Sequence, residues 1–178
     1  TFPESTAIVP SVKIGVLHMR NVVARVVPVP FRTDDRTRIS GLLGFDFFAD
    51  TVVHVDLEHN IVEALQPTTF HAPLDSMPVP IALDDKQPAV HVKVGSVAAR
   101  VILDTGANRT VLESSFADRA DLASDRSTMV ASQFDGVGGI GSADTVHIRQ
   151  FEFAGVTQVD PLVDISNAEL GVEDIDGV

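Results

Sequence analysis

The sequence contains no cysteine. That excludes disulfides, thiol nucleophiles and any zinc or iron–sulfur site built on thiolates. Positive charge is scarce: 13 Lys and Arg stand against 25 Asp and Glu, a formal net charge of -12 at pH 7. Such a field repels phosphate backbones, so no nucleic acid partner is expected. Nothing approaches the roughly 18 apolar residues in a row that a membrane-spanning helix needs, so no membrane span is expected in this chain. No charged-then-apolar start of the signal-peptide kind is visible. What remains is an ordinary globular mixture, 44% hydrophobic and 21% charged over 178 residues, enough for a core in one domain or two small ones.

The dominant periodicity is that of strands. Ser11 to Val29 is rich in Val and Ile, with Val12, Ile14 and Val16 in alternation. Thr51 to Leu57, His91 to Leu103 and Thr145 to Phe153 continue the pattern, and Gly95-Ser96 marks a turn inside the third of these. Helix signals are few. Ser115 with Asp118 could cap a short helix to Leu122, and Ser166 with Glu169 has capping-box spacing, with Gly171 stopping that helix after one turn. The stretch Gln66 to Val79 carries Pro67, Pro73 and Pro78 and reads as a linker.

The two halves repeat each other. Val12-Lys13-Ile14 matches Val146-His147-Ile148, and at the same offset Leu17 falls on Phe151, Met19 on Phe153 and Val29 on Val163. With a two-residue shift, Ile39-Ser40-Gly41-Leu42 falls on Ile175-Asp176-Gly177-Val178. The first copy is expected to lack its beginning and the second its end.

The segment Val101-Ile102-Leu103-Asp104-Thr105-Gly106-Ala107 carries the clearest chemistry. An apolar strand ends at a carboxylate and enters a tight turn. Gly106 is expected to adopt a backbone conformation that a Cβ would resist, and the Thr105 hydroxyl to satisfy nearby backbone groups. A carboxylate pinned in this way can act as a general base if a second carboxylate shares its proton.

Together with Thr110-Val111-Leu112, this segment closely resembles the active-site loop of retropepsin-like aspartic proteases. In that family an apolar-apolar-Gly element supports the catalytic loop. Here Ile39-Ser40-Gly41-Leu42-Leu43-Gly44 and Ile175-Asp176-Gly177-Val178 resemble it. Val53 to Leu57, Ile61 and Leu65 resemble the family's closing strands. The resemblance spans about Ser11 to Leu65 and Met77 to Val178. It implies an all-β acid protease fold with closed-barrel-like lobes and few short helices. Residues 1–66 would be the C-terminal half of a first lobe, 67–76 a linker, and 77–178 a second lobe without its final strands.

The implied activity is that of an aspartic endopeptidase. Two aspartates, one from each lobe or subunit, activate a water that attacks the peptide carbonyl. Asp104 is the candidate for one of them, with Thr105 and Gly106 bracing it and Ala107 and Asn108 lining the cleft floor. The partner aspartate is not visible, since Asp-Thr-Gly or Asp-Ser-Gly occurs nowhere else in the sequence. A pseudo-dimer of lobes or a homodimer is therefore implied, acting on a peptide or protein. The alternative is a non-catalytic dimerisation or peptide-binding module on the same fold. A bacterial extracytoplasmic location is favoured by the resemblance alone.

Phe134-Asp135-Gly136-Val137-Gly138-Gly139-Ile140-Gly141 admits two readings. Gly136, Gly138 and Gly141 fit a dinucleotide fingerprint, but that requires a following helix, and Thr145 to Phe153 alternates like a strand. The family resemblance instead implies a hairpin flap over the substrate, with Gly136, Val137, Gly138, Gly139 and Ile140 touching it. The chain has no Tyr, so the flap tyrosine of pepsin-like enzymes is absent. No metal or cofactor is expected: His54 and His59 are spaced to face differently, and Asp34-Asp35 and Asp84-Asp85 read as solvated turns. Asn108-Arg109-Thr110 matches a glycosylation sequon but abuts the candidate loop.

Overall fold

A computed structural model of the chain describes residues 5–15, 17–27, 39–84, 87–122, 129–136, 139–166 and 174–178, with 84, 134–136 and 139–140 described by backbone alone. Among the described residues the chain is mostly β, as the alternation predicts, with two short helices. It divides into two compact units, Thr1–Leu74 and Asp75–Val178.

The first unit is built from two hairpins. Strands β1 (Ser5–Ile14) and β2 (Leu17–Val26) pair antiparallel from Ser5↔Val26 to Ile14↔Leu17. The ladder begins six residues before the alternation at Ser11 predicts. It passes over Pro10: Val9 pairs with Val22 and Ser11 with Arg20. Proline has no N–H to give, and Asn21, which would face it, sits at φ +53°, a region Asn tolerates better than most residues. Gly15 at φ +54° turns the chain after β1.

Helix α1 (Phe45–Phe48) is one turn capped by Gly44. Its Phe47 is the one buried residue among those described in this unit. The rings of Phe47 and Phe48 meet edge to face at 5.0 Å. Strands β3 (Val52–Asp56) and β4 (Ile61–Leu65) form the second hairpin. Its turn is tied by Asp56: Oδ1 accepts the His59 N–H at 3.0 Å, and Oδ2 lies 2.8 Å from His59 Nδ1.

The second unit holds nearly all the core. Strands β5 (Ala82–Asp84), β6 (Gln87–Val94), β7 (Val97–Ile102), β11 (Gln150–Phe153) and β12 (Val156–Val159) make a five-stranded sheet. Strands β8 (Val111–Glu113), β9 (Val130–Gly136), β10 (Gly139–His147) and β13 (Leu162–Ser166) make a four-stranded one in the order β8-β13-β10-β9. The period-2 pattern decides the faces. Val90, Val92 and Val94 of β6 and Ala99 and Val101 of β7 point to one cluster with Leu112, Phe116, Val146, Val163 and Ile165. Ala89 and Ile102, paired across the ladder, point the other way and bury against Ile175. Gly95 at φ +60° makes the β6–β7 turn that Gly95-Ser96 predicts. Residues 154 and 155, both at positive φ, turn β11 into β12.

Helix α2 (Ser114–Arg119) starts one residue before Ser115, and no side chain caps it. It is fixed instead by burial of Phe116 and Ala117, a tertiary force that the capping pattern does not register. Ser166 closes β13; the rest of the helix expected from Ser166 to Gly171 lies outside the described residues.

A prediction follows from the β3–β4 turn. The His59 backbone N–H, and after it the His59 ring, hold the Asp56 carboxyl below the usual aspartate range. The lowered folded value means that this turn's contribution to stability is present above about pH 4 and is lost as pH falls through the lowered value. NMR titration should find Asp56 below ordinary aspartate. His59→Ala should keep most of the depression, because the backbone donor stays.

Candidate active site

Strand β7 leaves the sheet at Ile102, and the chain returns as β8 at Val111. The loop between them carries Asp104, Thr105, Gly106, Ala107 and Asn108. The Leu103 N–H is donated to the Pro88 carbonyl at 2.7 Å, which fixes where the strand ends. Asp104 then folds the turn on itself. Its Oδ1 accepts the Gly106 N–H at 2.8 Å, and its carbonyl accepts the Ala107 N–H at 3.3 Å. This is the local Asx-type bond that suits aspartate to turns.

Gly106 is not in the left-handed region, contrary to the expectation from sequence. Its constraint is proximity: a Cβ would stand 3.2 Å from Asp104 Oδ1. No hydrogen bond of the Thr105 hydroxyl is found among the described residues. The Asp104 side chain remains exposed, so the carboxylate is oriented by one backbone donor and is open to a ligand.

The two feet of the loop are held by the segment Asp174–Val178. Ile102 N–H is donated to the Gly177 carbonyl at 2.9 Å. On the other side Val111 and Val178 exchange N–H···O bonds at 2.8 Å each, and Glu113 N–H reaches the Asp176 carbonyl at 2.9 Å. Gly177 thus bridges Val101 and Leu112 at once. The approach is so close that a Cβ on Gly177 would overlap the Val111 carbonyl oxygen and crowd Leu112. Asp176 locks the strap from its side chain: Oδ2 accepts the Arg100 N–H at 2.9 Å, and Oδ1 pairs with Arg119 Nη2 at 2.6 Å.

Asp104, Ala107 and Asn108 line a single cavity of about 310 Å³. Its apolar wall comes from Val90 and Val92 of β6, Val101 of β7, and Phe151 and Phe153 of β11. Gly136, Gly139 and Ile140 lie at the end of the β9–β10 hairpin, where Gly136 pairs with Gly139 and Ile140 with Asp135. Val137 and Gly138 lie outside the described residues. No helix follows these glycines: β10 runs on to His147, so the dinucleotide reading fails as the alternation predicts. His54 faces Glu63 at 3.1 Å and His59 faces Asp56, so the two rings have separate carboxylate neighbours.

Sequence reasoning missed a polar cluster beside the loop. Asp164 is 4% exposed. Its Oδ1 accepts the Thr145 hydroxyl at 2.5 Å and lies 3.3 Å from Arg109 Nη1, which also lies 3.3 Å from Thr145 Oγ1. Thr145 Oγ1 is 2.9 Å from the Ser132 hydroxyl. The one signal in the sequence was an Asp on the apolar stretch Leu162–Ser166, which must find a partner if buried.

A family model described as "Aspartyl protease" matches residues 90–178 of this chain. Among solved structures, the chain is similar to a retropepsin-like aspartic protease from Rickettsia conorii, at 16% identity and a TM-score of 0.43, over 55% of this chain and 81% of that one. No curated protein matches the sequence.

Two predictions test this architecture. Gly177→Ala should destabilise the second unit by at least about 2 kcal/mol, since backbone and not a flexible side chain must move; urea unfolding measures it. For the buried cluster, Arg109→Met should cost more than Asp164→Asn, because it leaves a desolvated carboxylate with its cation removed. The double variant should cost less than the two changes added, with a coupling on the order of 1–2 kcal/mol in a double-mutant cycle.

Proposed function

We propose that this chain, which belongs to the aspartyl protease family, is an aspartic peptidase in which Asp104 is one of two aspartates that activate a water against a peptide carbonyl. The observation that carries the reading is the setting of Asp104: exposed, on the wall of a cavity, and oriented by the Gly106 N–H within a loop clamped at both feet. A general base must be accessible and held in one geometry, and this arrangement supplies both. Gly106 donates to one carboxylate oxygen, which leaves the other for the water. Thr105 and Gly106 brace the aspartate, Ala107 and Asn108 form the cleft floor, and the β9–β10 hairpin, with Gly136 to Ile140 at its end, closes over the peptide.

The second aspartate comes from an equivalent loop, in a tandem lobe or in a second copy of the chain. Residues 1–66 are read as part of one lobe, 67–76 as a linker and 77–178 as another. The division between units after Leu74 falls within that linker and supports the reading. Substrates are peptides or proteins. The second reading is a peptide-binding or dimerisation module without catalysis on the same fold.

Asp104→Asn decides between them. The amide keeps the shape and still accepts the Gly106 N–H but cannot take a proton from water. Cleavage of a mixed peptide pool, followed by mass spectrometry, should fall by about a hundredfold or more, while circular dichroism and the unfolding midpoint stay close to those of the parent. Unchanged turnover in the folded variant would remove Asp104 from the mechanism. A folded parent that binds peptides and cleaves none would favour the module.

A further inference from the structure

The cavity that holds Asp104 is lined by one cation among its described residues, Arg109. In a chain of net charge -12 a positive group at that place is not incidental to the local field. Its guanidinium is anchored on one side only. Nη1 lies 3.3 Å from both Asp164 Oδ1 and Thr145 Oγ1. Asp164 is buried, whereas the Arg109 side chain is 47% exposed. A guanidinium carries five N–H donors in a planar fork. Among the described residues no partner is found for Nη2 or Nε, so three of the five donors are left to a ligand while Nη1 is held. Pinning lowers the entropy that a ligand must overcome to use that fork.

The geometry points to Arg109 as a specificity-determining residue that selects a carboxylate side chain, Asp or Glu, in the peptide bound beside Asp104. This rests on the peptidase reading of the same site. A planar fork with parallel donors fits a carboxylate in bidentate fashion. The apolar wall of Val90, Val92, Phe151 and Phe153 flanks the place such a carboxylate would take and offers it no competing polar partner. A substrate carboxylate near Asp104 meets repulsion, and Arg109 is the described lining residue that offsets it. Asp164 then acts as the positioning residue behind Arg109.

The test uses matched short peptides with Glu, Gln or Lys placed in turn at each position around the cleaved bond. Binding is measured by calorimetry on the Asp104→Asn protein, and cleavage on the parent. At one position Glu should bind about tenfold or more tighter than Gln, and Lys more weakly than either. The Glu preference should shrink in Arg109→Lys, which keeps the charge and loses the fork. It should vanish in Arg109→Gln combined with Asp164→Asn, which leaves no buried carboxylate unpaired. Asp164→Asn alone should retain it in part. Equal binding of Glu and Gln peptides at every position, no binding of any of them by the folded protein, or a preference that survives the double variant overturns the assignment. Peptides cleaved without a Glu preference sink this inference alone. Glu-selective binding without cleavage by the parent sinks the peptidase reading and leaves Arg109 as the selector of a binding site.

Discussion

The second unit depends on one close approach. β7 and β8 flank the Asp104 loop but are not ladder partners: β7 pairs with β6, and β8 runs parallel to β13. What joins them is the strap Asp174–Val178: Gly177 accepts the Ile102 N–H of β7, while Val178 and Asp176 on either side of it bond β8, so Gly177 lies as a bridge between the two. Antiparallel strands can be closed by a two-residue turn, but two strands separated by a longer loop need a third segment to hold them. Only glycine leaves room for that segment here, since a Cβ would overlap the Val111 carbonyl oxygen. The same insertion buries Ile175 on Ala89 and Ile102, so hydrogen bonding and apolar burial act on one short stretch. A turn as small as Asp104–Ala107 can then keep its carboxylate exposed without depending on its own bonds for its position.

Two arginines secure acidic groups near the Asp104 loop. Arg119 pairs with Asp176, and its guanidinium also lies 4.9 Å from the Phe116 ring centre, so one side chain joins the strap to helix α2. Arg109 plays the corresponding part for Asp164 on β13. In a chain with this surplus of acid, each such pair relieves repulsion where backbone segments must come closest. The Arg119 pair is partly exposed and contributes modestly to stability. Its consequence is geometric, since Asp176 also receives the Arg100 N–H.

The parts legible in the sequence are those set by local rules. Alternation located β3, β6 and β7 and the end of β10, and Gly95-Ser96 located the turn between β6 and β7, because side-chain period and turn residues act over a few positions. The Asp-Thr-Gly loop was legible for the same reason: an apolar strand, an Asx turn and a return strand are contiguous. The early start of β1 was not, because Pro10 breaks the local pattern while the partner strand β2 restores the ladder on either side. Helix α2 began at Ser114 because Phe116 is wholly buried, a property of neighbours distant in sequence. The Arg109–Asp164 pair spans 55 residues, and nothing local announces it. The repeat read from residue matches sets β1 and β2 against β10 and β11. The pairing was not legible: β1 and β2 pair with each other, whereas β10 pairs with β9 and β13, and β11 with β6 and β12.

Two aspartates of the second unit show how burial divides labour within one cluster of strands. Asp164 sits on a strand between apolar neighbours and is satisfied by Thr145 and Arg109, because an unpaired carboxylate there would carry a desolvation cost of several kcal/mol. Its partners occupy it, and it is closed to solvent. Asp104 lies just past a strand end, where the chain leaves the core, and a single N–H orients it without covering it. A carboxylate left exposed in this way is held through the backbone around it, with no side-chain partner covering it. The tightest backbone contacts of the region accordingly lie beside the loop, at Gly177, Val111 and Ile102, and the Asp104 carboxylate keeps a single hydrogen bond.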